Sequence, residues 1–279
     1  MIWIVDSDSA GTLTPTLIRG SASSRQTTAS AFDVLVSLTR SDLRVRYGRG
    51  AQRVLKWLLD PFALVGVYLL LVTIVLNVNG RAPGLSLACA VVPFQLLMST
   101  VINALAAVTT RRTIILNMGF RRALIPIASV LTETVAFVAS LTLIVLMMVI
   151  YQVAPTISMI WLPLVVAVNI VLALGLAYPA SLFGLWFRDL RNFAISLVRT
   201  LFFLAPGLVP LSQIRGGAPA WLKLNPLTGL FEAYRNVLLF GHAPAAWQLA
   251  YPSAFAVLLI IVFVPFYRSE QRQFAKIVE

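Results

Sequence analysis

The chain has 279 residues, 59% of them hydrophobic and only 11% charged, with a net charge of +12. An ordinary soluble domain is about 45–50% apolar and about 25% charged, so one aqueous core could not cover this much apolar surface with the polar residues available. A water-soluble globular enzyme and a disordered polymer are therefore excluded. The apolar positions come in long runs instead of alternating. That pattern predicts an all-α, polytopic membrane protein and argues against an outer-membrane barrel.

The 22 Lys and Arg sit in short clusters between the apolar runs. Such clusters orient a membrane protein and meet anionic headgroups, so membrane lipids are expected partners and nucleic acid is not. Cys89 and His242 are the one cysteine and the one histidine. No disulfide framework and no metal site is expected from them. No cleavable signal peptide is expected over residues 1–30, which lack a basic start followed by an apolar stretch.

Residues 1–31 carry eleven Ser or Thr and no long apolar run, and read as a flexible cytoplasmic tail. Residues 32–56 read as an amphipathic interface helix and a linker. Phe32, Leu35, Val36, Thr39, Leu43 and Tyr47 recur at helical spacing, with Asp33, Ser37, Arg40, Ser41 and Arg44 on the other face. A helix packed on a soluble partner has the same spacing.

A six-helix transmembrane domain is expected over 57–267. Its spans fall at about 61–80, 85–110, 123–150, 159–187, 192–214 and 247–267. The first has 20 uncharged positions, enough at about 1.5 Å per residue to cross about 30 Å of hydrocarbon. From Ala123 to Phe187 there are 65 residues with Glu133 as the one charge, which suits two crossings with a turn at Tyr151–Ser158, where Pro155 breaks the helix. Segment 215–244 is too polar to cross and too apolar for an ordinary loop. It is expected to form short re-entrant helices on the outer side, with a plain surface loop as the competing reading. Residues 268–279 form a basic tail.

Six crossings put both ends on one side. Fifteen Lys and Arg, from Arg40 to Lys276, then fall on the side of the termini, against four on the other: Arg81, Arg215, Lys223 and Arg235. The excess of positive charge makes the first side cytoplasmic and the protein a multi-pass component of the cytoplasmic membrane. No phosphate-binding Gly-rich loop with its lysine is present, and no clustered acid, base or metal-ligating residues appear in the spans. An integral membrane enzyme acting on lipids is disfavoured on that ground, and uphill transport would need energy from another subunit.

Several motifs, in order, resemble the permease subunit of ABC exporters for polysaccharides of the O-antigen and teichoic-acid type. Residues 40–47 are similar to that family's interface helix. Trp57 to Pro61 resembles the start of its first span, with Asp60 where asparagine is usual. Asn117 to Pro126 resembles its ATPase-docking loop, with Arg121 in place of a proline. Phe187 to Arg191, Ala205-Pro206 with Pro210, and Asn225 to Arg235 complete the series. The resemblance covers about Phe32 to Val278.

It implies a homodimer of this subunit with two copies of an ATPase, which bind the ATP and Mg. No cofactor is expected in this chain, and the cargo is a lipid-linked polysaccharide. An exporter of drugs or other lipids with the same fold is the alternative. The loop at 111–122 becomes a coupling helix, in which Thr113, Asn117, Met118, Phe120, Arg121 and Arg122 meet the ATPase.

Sugars offer polar edges and apolar C–H faces, so aromatic faces can bind them weakly and let them slide. Tyr68, Phe202 and Phe203 are candidates for that track, or else residues facing lipid. Arg199 lies eight residues beyond Arg191, about 12 Å along a helix. It either faces the pathway and, with Arg188 or Arg191, holds the diphosphate of a lipid-linked glycan, or snorkels to the cytoplasmic face. Glu133 is expected to pair with an arginine. Trp221, Asn225, Pro226, Glu232, Tyr234 and Arg235 are read as an outer gate, with a fixed plug as the alternative.

Overall fold

The computed structural model of the protein describes residues 31–47, 51–75, 82–111, 122–187, 191–214 and 219–270, and the regular structure among them is helical. In chain order it comprises α1 (Ala31–Tyr47), α2 (Ala51–Leu70, prolonged by a π turn at Leu71–Val75), α3 (Pro83–Thr110), α4 (Leu124–Ile150) and α5 (Leu162–Trp186, preceded by a 3-10 turn at Ile157–Trp161). Then come α6 (Arg191–Leu204), α7 (Pro226–Arg235, running into a π turn at Asn236–Phe240) and α8 (Ala246–Glu270).

Four helical segments among the described residues are long and apolar enough to cross a bilayer: Pro83–Val108, Leu124–Ile150, Ile157–Trp186 and Ala246–Glu270. They are the expected second, third, fourth and sixth spans. The other two expected spans are shorter as helices. The apolar part of α2 runs over Phe62–Ile74. Helix α6 has 14 residues and stops at Leu204, well inside the 192–214 expected of it. Pro206 explains the stop, because the residue before a proline avoids helical backbone and the proline has no N–H to donate. At about 1.5 Å per residue α6 is about 21 Å long, short of a bilayer core.

Helix α3 is the hub. It is predominantly apolar and mostly buried, with α2, α4 and α5 packed about it and α7 against its first turns. Small residues set the closest approaches. A Cβ placed on Gly184 of α5 would stand 2.0 Å from the Leu105 carbonyl oxygen of α3, and one on Gly175 would stand 2.9 Å from the Ala256 carbonyl oxygen of α8. Such contacts bring helix backbones together in membranes, where little hydrophobic force remains between helices. Gly184→Ala is therefore expected to push α3 from α5 and to cut the yield of monodisperse protein after detergent extraction. A yield equal to wild type would show that the helices part at no cost.

The two ends of the bundle are tied by different residues. At one end the Gly84 N–H donates to Tyr151 Oη at 3.2 Å, Ser158 Oγ to the Val237 carbonyl at 3.0 Å, and Arg235 Nε to the Ser86 carbonyl at 3.3 Å. The turns before α3, before α5 and after α7 thus share one end. At the other end Tyr178 Oη donates to the Ala123 carbonyl at 3.3 Å, and the Tyr178 and Tyr267 rings meet edge to face at 5.6 Å. Helix α1 lies at this second end, through an ion pair from Asp42 to Arg111 at the foot of α3. The first described helix and the last turns of α8 are therefore on the same side, the arrangement an even number of crossings requires.

Candidate functional site

The three aromatic residues singled out for a sugar track come together. Tyr68 of α2 stacks on Phe202 of α6 with ring centroids 5.7 Å apart and planes 20° from parallel, and meets Phe203 edge to face at 6.2 Å. Two more rings complete the cluster: Phe94 of α3 lies 4.7 Å and Phe231 of α7 5.7 Å from Phe202. Phe202 and Phe203 are neighbours in sequence but differ in setting, for Phe202 is 1% exposed and Phe203 53%. One is the keystone of the cluster; the other presents a face.

A cavity of about 490 Å³ opens on this cluster between α2, α3 and α6. Tyr68, Phe94, Phe202 and Phe203 supply its aromatic wall, and Gln95, Ser99 and Arg199 supply polar groups. Arg199 therefore faces the same space as the rings, four residues before Phe203 on one face of α6. Arg191, exposed, lies two turns away along the same helix. Arg188 lies outside the described residues. The polar members from α3 were not foreseen: Gln95, Ser99 and Asn103 fall four apart on one face of the helix, but spacing alone does not say what that face meets.

The segment read as an outer gate is tied to the bundle by hydrogen bonds. Asn225 caps α7, its Oδ1 accepting the Leu227 N–H at 3.0 Å, with Pro226 in the first helical position where the missing N–H costs nothing. Its Nδ2 donates to the Leu201 carbonyl of α6 at 2.8 Å. Arg235 is fully buried. Its guanidinium donates to Glu232 Oε1 at 2.9 Å and to the carbonyls of Pro206 at 3.1 Å and Gly207 at 2.9 Å. Glu232 Oε1 also accepts the Leu211 N–H at 3.2 Å.

Carbonyls and N–H groups left by the early end of α6 thus find partners on α7. Glu232, Tyr234 and Arg235 are a brace within the core. Trp221, Asn225 and Pro226 line a second, apolar cleft.

No protein-family model matches the chain. Over 246 residues, 87% of this chain and 94% of the other, it is 28% identical to the O-antigen export system permease protein RfbA of Myxococcus xanthus. Two proteins of the same name from Klebsiella pneumoniae are each 26% identical over 211 residues, 75% of this chain and 82% of theirs. The chain is thus similar, over most of its length, to proteins named as O-antigen export permeases. The family resemblance carried by its motifs is the one these relatives bear, and its long apolar helices are those of a multi-pass membrane protein.

Most of the expected coupling segment, Thr113, Asn117, Met118, Phe120 and Arg121, lies outside the described residues. Arg122 stands partly buried at the foot of α4. The segment's near edges are held by a polar knot. Arg111 pairs with Asp42 of α1, and its Nη1 lies 3.4 Å from both the Ile125 carbonyl and Ser129 Oγ of α4. The inward face of α1 is therefore centred on Leu38 and Asp42, while Phe32, expected on that face, is 71% exposed. Helix α1 packs on its own chain's bundle. Glu133 accepts a hydrogen bond from Asn103 Nδ2 of α3, a partner not foreseen.

Proposed function

We propose that the chain is the membrane-spanning subunit of an ABC exporter that moves a lipid-linked polysaccharide across the cytoplasmic membrane. In this reading two copies of the permease pair with two copies of an ATPase, which hold the ATP and Mg. Helices α2 and α6 complete six crossings, both termini are cytoplasmic, and α7 with its flanking turns dips into the bilayer from outside.

The observation that carries the reading is the cavity that gathers Tyr68, Phe202, Phe203 and Arg199 in a homologue of named export permeases. Its chemistry suits a glycan, with ring faces for C–H surfaces and an amide, a hydroxyl and a guanidinium for polar edges. The face of α6 supports it further. Asn192, Ser196, Arg199 and Phe203 follow at spacings of four, three and four, and all are exposed. An arginine facing hydrocarbon costs about 2.5–3.5 kcal/mol, so this stripe belongs against water or a second copy of the chain. The drug-exporter alternative gains nothing from these polar groups.

The test is reconstitution of the permease with its ATPase in vesicles, with ATP hydrolysis and glycan movement followed together. Lipid-linked glycan should stimulate hydrolysis. Phe120→Ala should leave insertion and hydrolysis in place and lower glycan moved per ATP hydrolysed several-fold. Export undiminished by Phe120→Ala would remove the coupling role. Failure of any lipid-linked glycan to stimulate hydrolysis would remove the substrate.

A further inference from the structure

A second cavity, of about 330 Å³, lies on the opposite side of α6 from the aromatic one. Leu97 of α3, Leu172 and Leu176 of α5, Leu201 of α6 and Phe255 of α8 form its walls, and Trp221 stands at its mouth. One lining residue is polar, Asn225, and both of its amide atoms are already bonded, to the Leu227 N–H and the Leu201 carbonyl. The walls therefore offer little to water or to a sugar hydroxyl, and the space suits an apolar chain.

The mouth has its own chemistry. Trp221 is 55% exposed, Trp247 and Tyr251 open α8 beside it, and Tyr251 Oη donates to the Leu224 carbonyl at 2.6 Å. Tryptophan and tyrosine grouped at helix ends mark the headgroup level of a bilayer. Lys223 projects from the same 3-10 turn as Trp221, exposed, its Nζ 5.6 Å from the Trp247 ring centroid. Among the described residues from 205 to 245 the other formal charges, Glu232 and Arg235, are buried against each other. The exposed charge at the mouth is thus, among the described residues, a single cation over an apolar slot.

We infer that this cleft holds one acyl chain of an anionic phospholipid from the surrounding bilayer, with the lipid phosphate at Lys223. The site stands apart from the export reading and does not depend on it. It does touch the aromatic cavity at one wall. Phe94 lines both spaces and packs on Phe202, so a bound chain would support the ring cluster from behind.

The test uses the full chain in nanodiscs that contain a phosphatidylglycerol with a photoactivatable group midway along one acyl chain, and maps the labelled peptides. Label is expected on peptides bearing Leu176, Leu204 and Phe255. Leu201→Trp and Leu176→Trp each fill the slot and should reduce that label to the level found on the exposed face of α4. Phosphatidylglycerol should label about fivefold more than phosphatidylcholine, the equivalent of ~1 kcal/mol for one basic residue near the surface. Lys223→Gln, a surface change that leaves the core intact, should erase the difference.

Equal labelling by the two headgroups, or label untouched by both tryptophans, overturns the site. So does displacement of the label by a trace of polyprenyl phosphate, which would assign the slot to the carrier of the exported glycan. No transport is measured, so a failure here leaves the export reading standing, and a failure of export leaves this result interpretable.

Discussion

Arg235→Met is expected to yield little folded protein, and what is extracted should unfold at a markedly lower temperature. Methionine keeps the length of the side chain and removes all its donors. Glu232, 7% exposed, is left without a cation, and the carbonyls of Pro206 and Gly207 lose their partner. Breaking a buried ion pair from one side costs about 3–5 kcal/mol, a large part of the about 5–15 kcal/mol that holds a typical protein folded. Glu232→Gln is the graded control. A glutamine oxygen can still accept from Leu211 and Arg235, and the guanidinium keeps its three carbonyls, so that loss should be smaller. The order wild type, Glu232→Gln, Arg235→Met in unfolding midpoint, read by fluorescence-detected size exclusion after heating, checks the brace. A midpoint for Arg235→Met equal to wild type would mean that the outer segment is held by its apolar contacts alone.

That brace also marks where reading the chain as a string stops. Long uncharged runs announce their helices well. The spans expected at 123–150, 159–187 and 247–267 are close to Leu124–Ile150, Leu162–Trp186 and Ala246–Glu270, because length and apolarity are local properties. The early end of α6 was missed, for the span was expected to run to 214 on its hydropathy although Pro206 forbids that helix.

Asn225-Pro226 was legible as a helix start, an N-cap followed by proline, yet its composition in an outer loop invites a gate. Burial of the Glu232–Arg235 pair was not legible. Opposite charges three apart look the same on a solvated helix. What buries these is the Ser86 carbonyl, 149 residues away in sequence, and the turn after α6. Asp42 and Arg111, 69 residues apart, raise the same difficulty. So do Phe94 and Gln95: the stripe of Gln95, Ser99 and Asn103 marks a face of α3, but which helices meet that face is set by residues far off in the chain.

Replacing Tyr68 and Phe203 together by alanine is expected to lower glycan export about tenfold while the protein still inserts and binds its ATPase. The choice of residues follows from burial. Phe202 touches four other rings and is 1% exposed, so its alanine variant would lose about 3–5 kcal/mol of packing and a loss of export would say little about sugar. Phe203 is 53% exposed and Tyr68 half-buried, so truncating them opens no closed void.

A ring stacked on a flat ligand face contributes about 1–3 kcal/mol, as measured for bases, and a tenfold loss corresponds to about 1.4 kcal/mol. Tyr68→Phe with Phe203→Tyr keeps both faces and should keep export near the wild-type rate. Glycan moved per ATP hydrolysed is the quantity to follow, because a stacking platform alters the cargo's hold on the permease and leaves the ATPase cycle alone. Full export by the double alanine variant, with its insertion confirmed, would return both rings to lipid and leave Arg199, Gln95 and Ser99 to carry the cargo without an aromatic wall.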